Sequence, residues 1–475
     1  MCIAGTGSLM AQDEYEQWRK QQEGEFQRFV EERDREFVAF LKQEWKQMQL
    51  MHGLVLDEKP KPVHIPAAAP AARDDTLTAR TIVSMPAVTP PPEMPLPEVG
   101  TPAVESRKNH VLVKIGFYGV DLSVSVDGAM KISLGQPVGK DAISRFWERM
   151  SQTNYPDLLK QTSHYARQMR LNDWGSLELM YALGREICRL QNEAILFTWF
   201  LACKSGYDAR VGFSGERVAL LVPTNNTLYS VPFLTVGEKR RRYYLAALDP
   251  HWTLDEEHLY TYEGEYPHAD GGVAFSIATP PVTEGKSITK TLRFSYNGQD
   301  HALPVRISMD AVRFFEYYPQ TEFKVYFDAT PSPVALSSLE AALRPLLQGK
   351  TEREAVSVVL RFVQTAFGYK TDPEQFGREK PMFPDETLYY GYSDCEDRAV
   401  LFARLVRTLT GLDVVGLDYP GHVATAVRFT DDVPGTSVTH RGRTYVLCDP
   451  TYVNAGVGDC MPELANIEPG IIAME

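Results

Sequence analysis

The sequence has few of the features that mark metal-binding fingers, disulfide scaffolds or membrane proteins. Only six of its 475 residues are cysteine, no two of them form a C-x-x-C pair, and none lies near histidine at zinc-finger spacing. Six cysteines in a chain of this length are too few for a disulfide framework. No apolar run approaches the roughly 18 residues of a transmembrane helix, and no calcium loop of alternating Asp and Asn ligands is present. We therefore expect no membrane-spanning segment, no metal and no organic cofactor.

Positive charge is also in short supply. The chain carries 49 Lys and Arg against 62 Asp and Glu, which gives a net charge of −13. Because a phosphate backbone attracts clustered Lys and Arg, this balance excludes a typical nucleic-acid-binding protein and disfavours docking on anionic lipid. The content of 44% hydrophobic and 23% charged residues is typical of a globular protein, and the length predicts two or three domains.

A short apolar stretch, IAGTGSLMAQ, precedes the first charged residue, Asp13. Small apolar residues ending in LMA, with a cleavage site near Gln12, are typical of the end of a secretory signal peptide, although the basic segment that would start one is missing. We interpret residues 1–12 as a signal-peptide remnant, which predicts a periplasmic or cell-surface location in a bacterium. A cytoplasmic N-terminus is the alternative.

Pairs of large apolar residues recur at a constant interval of eleven positions along the segment 13–52. Eleven positions make three helical turns at about 3.67 per turn, so the pairs would share one stripe of a long helix. The pattern predicts an amphipathic helix over 13–52. Its stripe either mediates oligomerisation or partner docking, or packs on the protein's own body. The pairs are Tyr15/Trp18, Phe26/Phe29, Phe37/Phe40 and Met48/Met51.

Residues 53–107 are rich in proline and include the stretch PAVTPPPEMPLPEVGTP. Proline fixes the backbone angle φ and lacks an amide donor, so this segment is unsuited to a helix or a central strand. It predicts an extended, semi-rigid linker that tethers the N-terminal helix to the rest of the chain.

The rest of the chain contains two similar halves. Residues 191–222 align with residues 396–427 without a gap, and eight of the 32 pairs are identical. A strand–turn–strand pattern precedes each block, and the second one turns at Asn297-Gly298, a strong hairpin signal. We therefore predict an α+β fold with two copies of one plan, over 108–270 and 271–475.

In the second half, the apolar periodicity predicts the elements that would surround a site. Two helices are expected before a third, buried helix that follows Ser393. Three strands are expected after it. The predicted helices lie at about 336–348 and 352–367, and the predicted strands lie near 414–417, 422–429 and 443–448.

Three residues with the chemistry of a thiol enzyme stand at the boundaries of these elements. Cys395 begins the third helix, His422 opens the strand HVATAV, and Asp449 ends the strand TYVLCD. Cysteine catalysis needs a thiolate, a base that forms it and an acceptor that orients the base. Cysteine, histidine and aspartate at these positions would supply all three.

The residues around Cys395 are expected to shift the pKa of its thiol in opposite directions. Ser393 and Glu396 have the S-x-x-E spacing of a capping box, which predicts Ser393 as N-cap and Cys395 in the first turn. A helix N-terminus lowers a thiol pKa because its free N–H groups favour negative charge. The neighbouring carboxylates of Asp394, Glu396 and Asp397 disfavour a thiolate. A protonated His422 would have to outweigh them.

The segments SDCEDRAVLFARLVR, DYPGHVATAV and YVLCDPTY together resemble the transglutaminase-like superfamily of papain-like thiol enzymes, over roughly residues 339–452. The resemblance implies that Cys395 is the nucleophile, His422 the general base and acid, and Asp449 the residue that holds the imidazole. It implies hydrolysis of a peptide or amide bond, with transamidation as the alternative outcome. The rival function is a catalytically silent binding or scaffold protein that recognises a protein or peptide-glycan.

Four further residues are candidates for supporting roles in such an enzyme. The superfamily uses a side-chain donor for the oxyanion, and we consider Gln375 and Tyr392 for it; a solvated loop position is the alternative for Gln375. Tyr389 and Tyr390 would suit stacking on a peptide or sugar in a substrate groove, although packing in the core or a lid is equally consistent with their sequence context.

The first half lacks the reactive residues at the aligned positions. Leu190 stands where Cys395 would be and Arg217 where His422 would be, and only Asp249 has an acidic counterpart in Asp449. Leucine has no nucleophile, and arginine is no base at neutral pH. We therefore predict that residues 108–270 form a degenerate transglutaminase-like domain kept for packing or binding.

Overall fold

A computed structural model gives the fold of the chain, and both helices and sheets contribute to it. Helices make up 37% and strands 27%, which confirms the α+β class. Among the described residues, no helix is long and apolar enough to cross a membrane. The structure describes residues 6–43, 45–56, 61–62, 67–68, 100, 109–237, 240–254, 257–283 and 285–474.

The long N-terminal helix is shorter at its C-terminal end than predicted. α1 spans Thr6–Leu41, and β1 spans Lys46–Gln49. β1 has only one apolar residue, Met48, and it pairs antiparallel with the strand His258–Thr261. The prediction of a helix over the whole of 13–52 is therefore wrong, because Met48 lies on a strand.

The end of α1 packs on the body of the protein. Phe37 is buried, and its ring lies 4.7 Å from that of Trp147 and 5.3 Å from that of Tyr266, measured between centroids. Farther up the helix Phe29 is half exposed and Trp18 is 56% exposed. Packing on the protein's own body thus accounts for the last turns of the stripe. The side chains of Tyr15 and Phe26, which are predicted to lie on the same stripe, are outside the part of the chain that the structure describes.

The first half of the chain combines a hairpin, four helices and a sheet. The hairpin precedes the helices, and the sheet follows them. A short 3-10 turn at Gly128–Met130 ends the hairpin. The elements are β2 His110–Phe117, β3 Val120–Asp127, α2 Lys140–Ser151, α3 Tyr155–Gln168, α4 Asp173–Cys188, α5 Gln191–Lys204, β4 Arg210–Ser214, β5 Arg217–Pro223, β6 Phe233–Val236, β7 Arg241–Leu245 and β8 His258–Thr261.

The second half repeats this order with additional short elements before its central helix. The predicted helices and strands of this half are present within a few residues of their expected ends. The elements are β9 Ser287–Tyr296, β10 Gln299–Ser308, α6 Met309–Glu316, α7 Phe323–Asp328, α8 Pro333–Leu347, α9 Glu352–Ala366, β11 Gly368–Tyr369, α10 Asp372–Phe376, α11 Pro384–Tyr389, β12 Tyr392–Ser393, α12 Cys395–Thr410, β13 Asp413–Tyr419, β14 His422–Arg428, β15 Ser437–His440, β16 Arg443–Cys448 and β17 Gly470–Ala473.

The two main sheets share one strand order. The first sheet runs β1-β8-β4-β5-β7-β6, and the second runs β17-β13-β14-β16-β15. When the strands after the central helices α5 and α12 are numbered one to five, both sheets read five-one-two-four-three, and β1 is an addition to the first. Each half also begins with a two-stranded antiparallel hairpin, β2-β3 or β9-β10.

The predicted turn of the second hairpin is present. Asn297 and Gly298 have φ angles of 50° and 76°, which belong to the left-handed region that a two-residue hairpin turn requires. The corresponding turn of the first hairpin, Tyr118-Gly119, has φ angles of 44° and 82°. Both hairpins thus turn through two residues of positive φ.

Candidate active site

Cys395 is the first residue of α12, as predicted, but the cap of this helix is one residue later than expected. Asp394, not Ser393, is the N-cap, and Asp397, not Glu396, returns the reciprocal bond by accepting the Asp394 N–H at 3.1 Å. The Ser393 hydroxyl instead accepts a hydrogen bond from Arg398 Nε at 3.1 Å. The predicted S-x-x-E capping box is therefore wrong, because the Ser393 hydroxyl is hydrogen-bonded to the buried Arg398 instead of to the start of the helix.

His422 and Asp449 meet at neighbouring strand ends. His422 opens β14 after a turn in which Gly421 takes a left-handed φ of 76°. Asp449 directly follows β16, which pairs with β14. His422 Nε2 lies 2.9 Å from Asp449 Oδ2, and both side chains are buried. The strand pairing thus places an aspartate on the imidazole, as predicted from the sequence.

Asp449 is itself held in place. Its Oδ1 accepts backbone N–H bonds from Thr451 at 2.8 Å and Tyr452 at 3.1 Å. The side-chain amide of Gln364, on α9, donates to the carbonyls of Asp449 at 3.1 Å, Tyr452 at 2.9 Å and Ala455 at 3.0 Å. Such bonds fix the orientation of the carboxylate toward His422.

The thiol of Cys395 lies beside the start of β14. The backbone N–H of Val423, the residue after His422, is near enough to the Cys395 sulfur to lower the pKa of the thiol. The second ring nitrogen of His422, Nδ1, has no hydrogen-bond partner among the described residues and is buried. The Cys395 Sγ instead donates to Glu396 Oε2 at 3.2 Å. The structure therefore places the Cys395 thiol next to the strand that His422 opens, with His422 Nδ1 unpartnered among the described residues.

The environment favours a charged imidazole but not a thiolate. Burial lowers the pKa of His422, yet Asp449 and then Glu396 outweigh it and leave that pKa above its ordinary value. Burial and the carboxylate of Glu396 raise the pKa of the Cys395 thiol well above its usual range, and Lys61 and the Val423 N–H only partly offset them. In this structure the acidic neighbours and full burial prevail, and the thiol stays protonated.

An acidic cluster around a lysine adjoins Cys395. Lys61 belongs to the proline-rich linker, and its Nζ lies 3.1 Å from Asp394 Oδ2 and 3.2 Å from Glu379 Oε2, and it also pairs with Glu396. Asp372 Oδ2 is 3.8 Å away. Only 2% of the Lys61 side chain is exposed. We refer to Asp372, Glu379, Asp394 and Glu396 as the acidic pocket.

The charges of the acidic pocket are strongly interdependent. Burial lowers the pKa of Lys61, but the carboxylates, Glu396 first, raise it well above its ordinary value. Burial and mutual repulsion raise the pKa of both Asp372 and Asp394. Burial also opposes ionisation of Glu396, but the Lys61 ammonium outweighs it and lowers that pKa. Lys61 thus stays an ammonium, with Glu396 as its ionised partner.

The acidic pocket is also the candidate place for a metal. Among the described residues, Asp372, Asp394 and Glu396 form the one group of His, Cys, Asp or Glu side chains whose donor atoms lie close enough, within 4.8 Å of one another, to hold an ion. The Lys61 ammonium is paired with all three carboxylates. A metal would have to displace it, and the expectation of no metal stays a prediction.

Gln375 and Tyr392 do not contact the three central residues through the hydrogen bonds that the structure describes. Gln375 is half-buried on α10, the helix that begins with Asp372. Tyr392 lies on β12, is 43% exposed, and its ring centroid is 4.2 Å from Lys370 Nζ. Their roles as oxyanion donors therefore remain predictions without support from these contacts.

Tyr389 and Tyr390 pack locally at the end of α11. Their ring centroids are 5.1 Å apart, and Tyr390 lies 5.1 Å from the ring of Phe376. Lys290, on β9, donates to both of their backbone carbonyls at 3.0 and 3.1 Å. Both side chains are half-buried, so these contacts favour the packing alternative over a groove lining.

The aligned residues of the first half form no comparable group. Leu190 is the N-cap of α5 and is 61% exposed, and Arg217 opens β5 and bonds the carbonyl of Thr253. Asp249 Oδ2 accepts from Gln191 Nε2 at 3.2 Å instead of from a histidine. This place in the first half thus has neither a thiol nor a base.

Six residues of the site went unrecognised in the sequence. Gln364 and Arg398 support the site from within the core: Arg398 is 1% exposed and donates to the carbonyls of Phe367 and Gly368, both at 3.0 Å. The others are Lys61, the acidic-pocket residues Asp372 and Glu379, and Tyr369, whose hydroxyl donates to the carbonyl of Pro62 at 2.8 Å. The helical period places Gln364 and Arg398 among apolar residues, which is a usable signal for a buried polar role. Lys61 is too distant in sequence to give any.

No family model matches this chain, and no curated protein matches it. The support for a site at Cys395, His422 and Asp449 therefore comes from where the fold places these residues. The start of α12, the start of β14 and the end of β16 meet in one place, although the three residues are well separated along the chain.

Proposed function

We propose that the protein is a thiol-dependent acyl-transfer enzyme that hydrolyses a peptide or amide bond through Cys395, His422 and Asp449. The observation that carries this proposal is the geometry of His422: Nε2 is engaged by Asp449 at 2.9 Å, and Nδ1 is buried and unpartnered within the described residues. His422 also directly precedes Val423, whose N–H is near enough to the Cys395 sulfur to lower the pKa of the thiol. A base oriented on one side and free on the other is what a thiol nucleophile requires.

The steps of the reaction follow from these positions. His422 takes the proton of the Cys395 thiol, and the sulfur attacks the carbonyl carbon. In the proposed reaction the backbone N–H of Cys395, which is in the first turn of α12, donates to the oxyanion. His422 then gives its proton to the leaving amine as the C–N bond breaks, and an acyl thioester remains. Water, activated by the same histidine, hydrolyses the thioester; an amine in its place would give transamidation.

The fold supports the same proposal. We propose that the two halves are tandem transglutaminase-like domains, the first of them degenerate. The common strand order of the two main sheets, the hairpin before each and the central helices α5 and α12 support a duplication. The loss of a thiol and a base at Leu190 and Arg217 fits a first copy kept for packing or binding.

A catalytically silent binding protein is the second candidate, and one observation favours it. Cys395 is fully buried, and its thiol bonds Glu396 rather than His422. Such a thiol is inert unless the surrounding segments open. A protein that binds a peptide without cleaving it could keep this arrangement.

Labelling of Cys395 separates the two candidates. We expect a small alkylating agent such as iodoacetamide to modify Cys395 in the folded protein, and His422→Ala to reduce the rate at least tenfold, because the base that forms the thiolate is lost. Cys448, fully buried on β16 with its pKa raised by burial, provides an internal control. Equal rates at Cys395 in the wild type and His422→Ala would show that the thiol is not activated.

The substrate is sought with a matched pair of proteins. The proteome of the native organism is exposed to the wild type and to Cys395→Ala, and new peptide termini or cross-links are compared. We expect termini that appear with the wild type only. Identical patterns in the two samples, together with equal labelling rates of Cys395 in the wild type and His422→Ala, would favour the binding protein.

A further inference from the structure

The proline-rich linker reaches the proposed nucleophile. Lys61 pairs with Asp394 and Glu396, the two residues that flank Cys395 in the sequence. The ammonium and the thiol are near enough that Lys61 lowers the pKa of Cys395 while a thiolate there raises the pKa of Lys61. A side chain from a distant upstream segment of the chain therefore lies next to the site of attack.

The acidic pocket fits a primary ammonium group. A lysine side chain has three N–H donors, and three carboxylates, of Glu379, Asp394 and Glu396, lie within hydrogen-bond distance of Lys61 Nζ. Asp372 adds a fourth negative group at 3.8 Å. Asp394 Oδ1 is buried and has no hydrogen-bond partner among the described residues, so the pocket has acceptor capacity to spare.

Two described points of the backbone after Lys61, at Pro62 and at Ala68, are hydrogen-bonded to the body of the protein. The Tyr369 hydroxyl donates to the carbonyl of Pro62 at 2.8 Å. Farther along, the N–H of Ala68 donates to the carbonyl of Val453 at 2.9 Å, and Asn454 Nδ2 donates to the carbonyl of Ala68 at 3.3 Å. Main-chain bonds of this kind bind a strand-like peptide without reading its side chains. Selectivity would then come from the lysine.

We propose that the acidic pocket, together with Tyr369 and Val453, binds a peptide whose lysine side chain enters the pocket beside Cys395, and that Lys61, Pro62 and Ala68 of the linker are the internal occupants of this site. That the peptide is a substrate rests on the proposed function; that it binds does not. The chain from Lys61 to Ala68 spans at most about 25 Å, the reach of a short peptide.

The lysine in this pocket serves recognition and not attack. The carboxylates raise the pKa of Lys61 well above its ordinary value, although burial opposes them. An ammonium so held has no lone pair with which to attack a thioester. A lysine from an incoming peptide would experience the same carboxylates, so it would orient the peptide rather than accept the acyl group.

A binding measurement tests this inference. The probes are a fluorescent peptide with the sequence EKPKPVHIPAAAP, residues 58–70, and a matched peptide with norleucine in place of the lysine at position 61. We expect the full-length Lys61→Ala variant to bind the lysine peptide at least tenfold more tightly than the norleucine peptide. The wild type should bind the lysine peptide at least tenfold more weakly than the variant, because the tethered segment competes at millimolar effective concentration.

Two further variants keep the test decisive. Lys46→Ala, which removes an exposed ion pair with Glu263, is the matched control and should behave like the wild type. If Lys61→Ala does not fold, Tyr369→Phe decides, since it loosens the internal segment and leaves the pocket intact. It should bind the lysine peptide more tightly than the wild type does and keep the preference over norleucine.

The outcomes for this inference and for the proposed function differ. Equal affinity for the two peptides in both Lys61→Ala and Tyr369→Phe would overturn the inference, even with a reactive Cys395. Lysine-selective binding with an unreactive Cys395 would support the inference and contradict the proposed enzymatic function. A Cys395→Ser version of each variant should bind equally well, because the thiol makes no contact that the inference uses.

Discussion

His422 Nε2 lies 2.9 Å from Asp449 Oδ2, while Nδ1 of the same ring is buried without a hydrogen-bond partner in the described part of the chain. This one-sided pairing fixes which nitrogen can act on a substrate or thiol. It also makes Asp449 the main group that favours a protonated His422, with Glu396 second.

Asp449→Asn should lower the pKa of His422. Burial already lowers that pKa, and the Asp449 carboxylate is the main group that raises it above the ordinary value. Without the carboxylate, burial should prevail. An NMR titration of the His422 ring signal, assigned with His422→Gln, checks this.

The same variant should change how stability depends on pH. A raised folded-state pKa stabilises the protein below the unfolded pKa of about 6.5, and that contribution is lost as pH rises through the folded value. The free energy of unfolding of the wild type, relative to Asp449→Asn, should therefore fall over this range. A constant difference from pH 5 to 9 would show that Asp449 does not raise the pKa.

Gln364→Ala should destabilise the fold and weaken the site. The variant leaves three carbonyl acceptors around Asp449, two buried and one half-buried, without their donor, a loss of about 1–3 kcal/mol. Urea unfolding measures the free energy, and Cys395 labelling measures the site. Gln375→Ala is the matched control on half-buried α10 and should change the free energy by less than about 0.5 kcal/mol. Equal effects of the two variants would contradict a bracing role for Gln364.

Asp385→Asn should make the free energy of unfolding less dependent on pH between about pH 4 and 6. Asp385 is fully buried, accepts the Ser332 N–H at 2.6 Å, and burial raises its pKa to about 6. The native state therefore binds more protons than the unfolded state between about pH 4 and 6, so this group's stabilisation is lost as pH rises through that window.

The pKa shift of Asp385 limits how much the unfolding free energy can change. Each pKa unit corresponds to roughly 1.4 kcal/mol, so the difference in unfolding free energy between the wild type and Asp385→Asn should change by up to about 3 kcal/mol. Chemical unfolding at several pH values from 3.5 to 8 measures it. Parallel curves for the two proteins would contradict the raised pKa.

Phe37→Ala should release the end of α1. The Phe37 ring is 3% exposed and packs edge-on against Trp147 and Tyr266, and loss of such a side chain costs about 3–5 kcal/mol. Phe29→Ala, earlier on the same helix and half exposed, should cost less than about 0.5 kcal/mol. Limited proteolysis within α1 together with urea unfolding follows both. Similar protection in the two variants would show that the helix is not docked through Phe37.

The elements around the site were predictable because their signals are local. The period of the apolar residues marks α9 and α12, and the turn residues Pro420-Gly421 mark the start of β14. The hairpin turn at Asn297-Gly298 is equally local. The helix N-cap was not predictable, because Ser393 and Asp394 are both good caps and the choice depends on Arg398, which engages the serine from within the core.

The end of α1 shows the same limit. The apolar repeat continues through Met48, but β8 offers an edge with which Lys46–Gln49 pairs. A helical period in the sequence does not reveal a competing strand from a distant part of the chain. The tertiary contact decided between two local structures that the sequence allows.

The sequence by itself determined where Cys395, His422 and Asp449 stand relative to their helix and strands, because apolar periodicity and turn residues act over a few positions. Only the tertiary structure decided what surrounds the thiol. Four carboxylates and a lysine from the linker converge beside it. Burial, Glu396 and Asp394 raise the pKa of Cys395, and Lys61, more than 300 residues away in the chain, opposes them. Electrostatic interactions act through space, so residues far apart in the chain govern the reactivity of one cysteine.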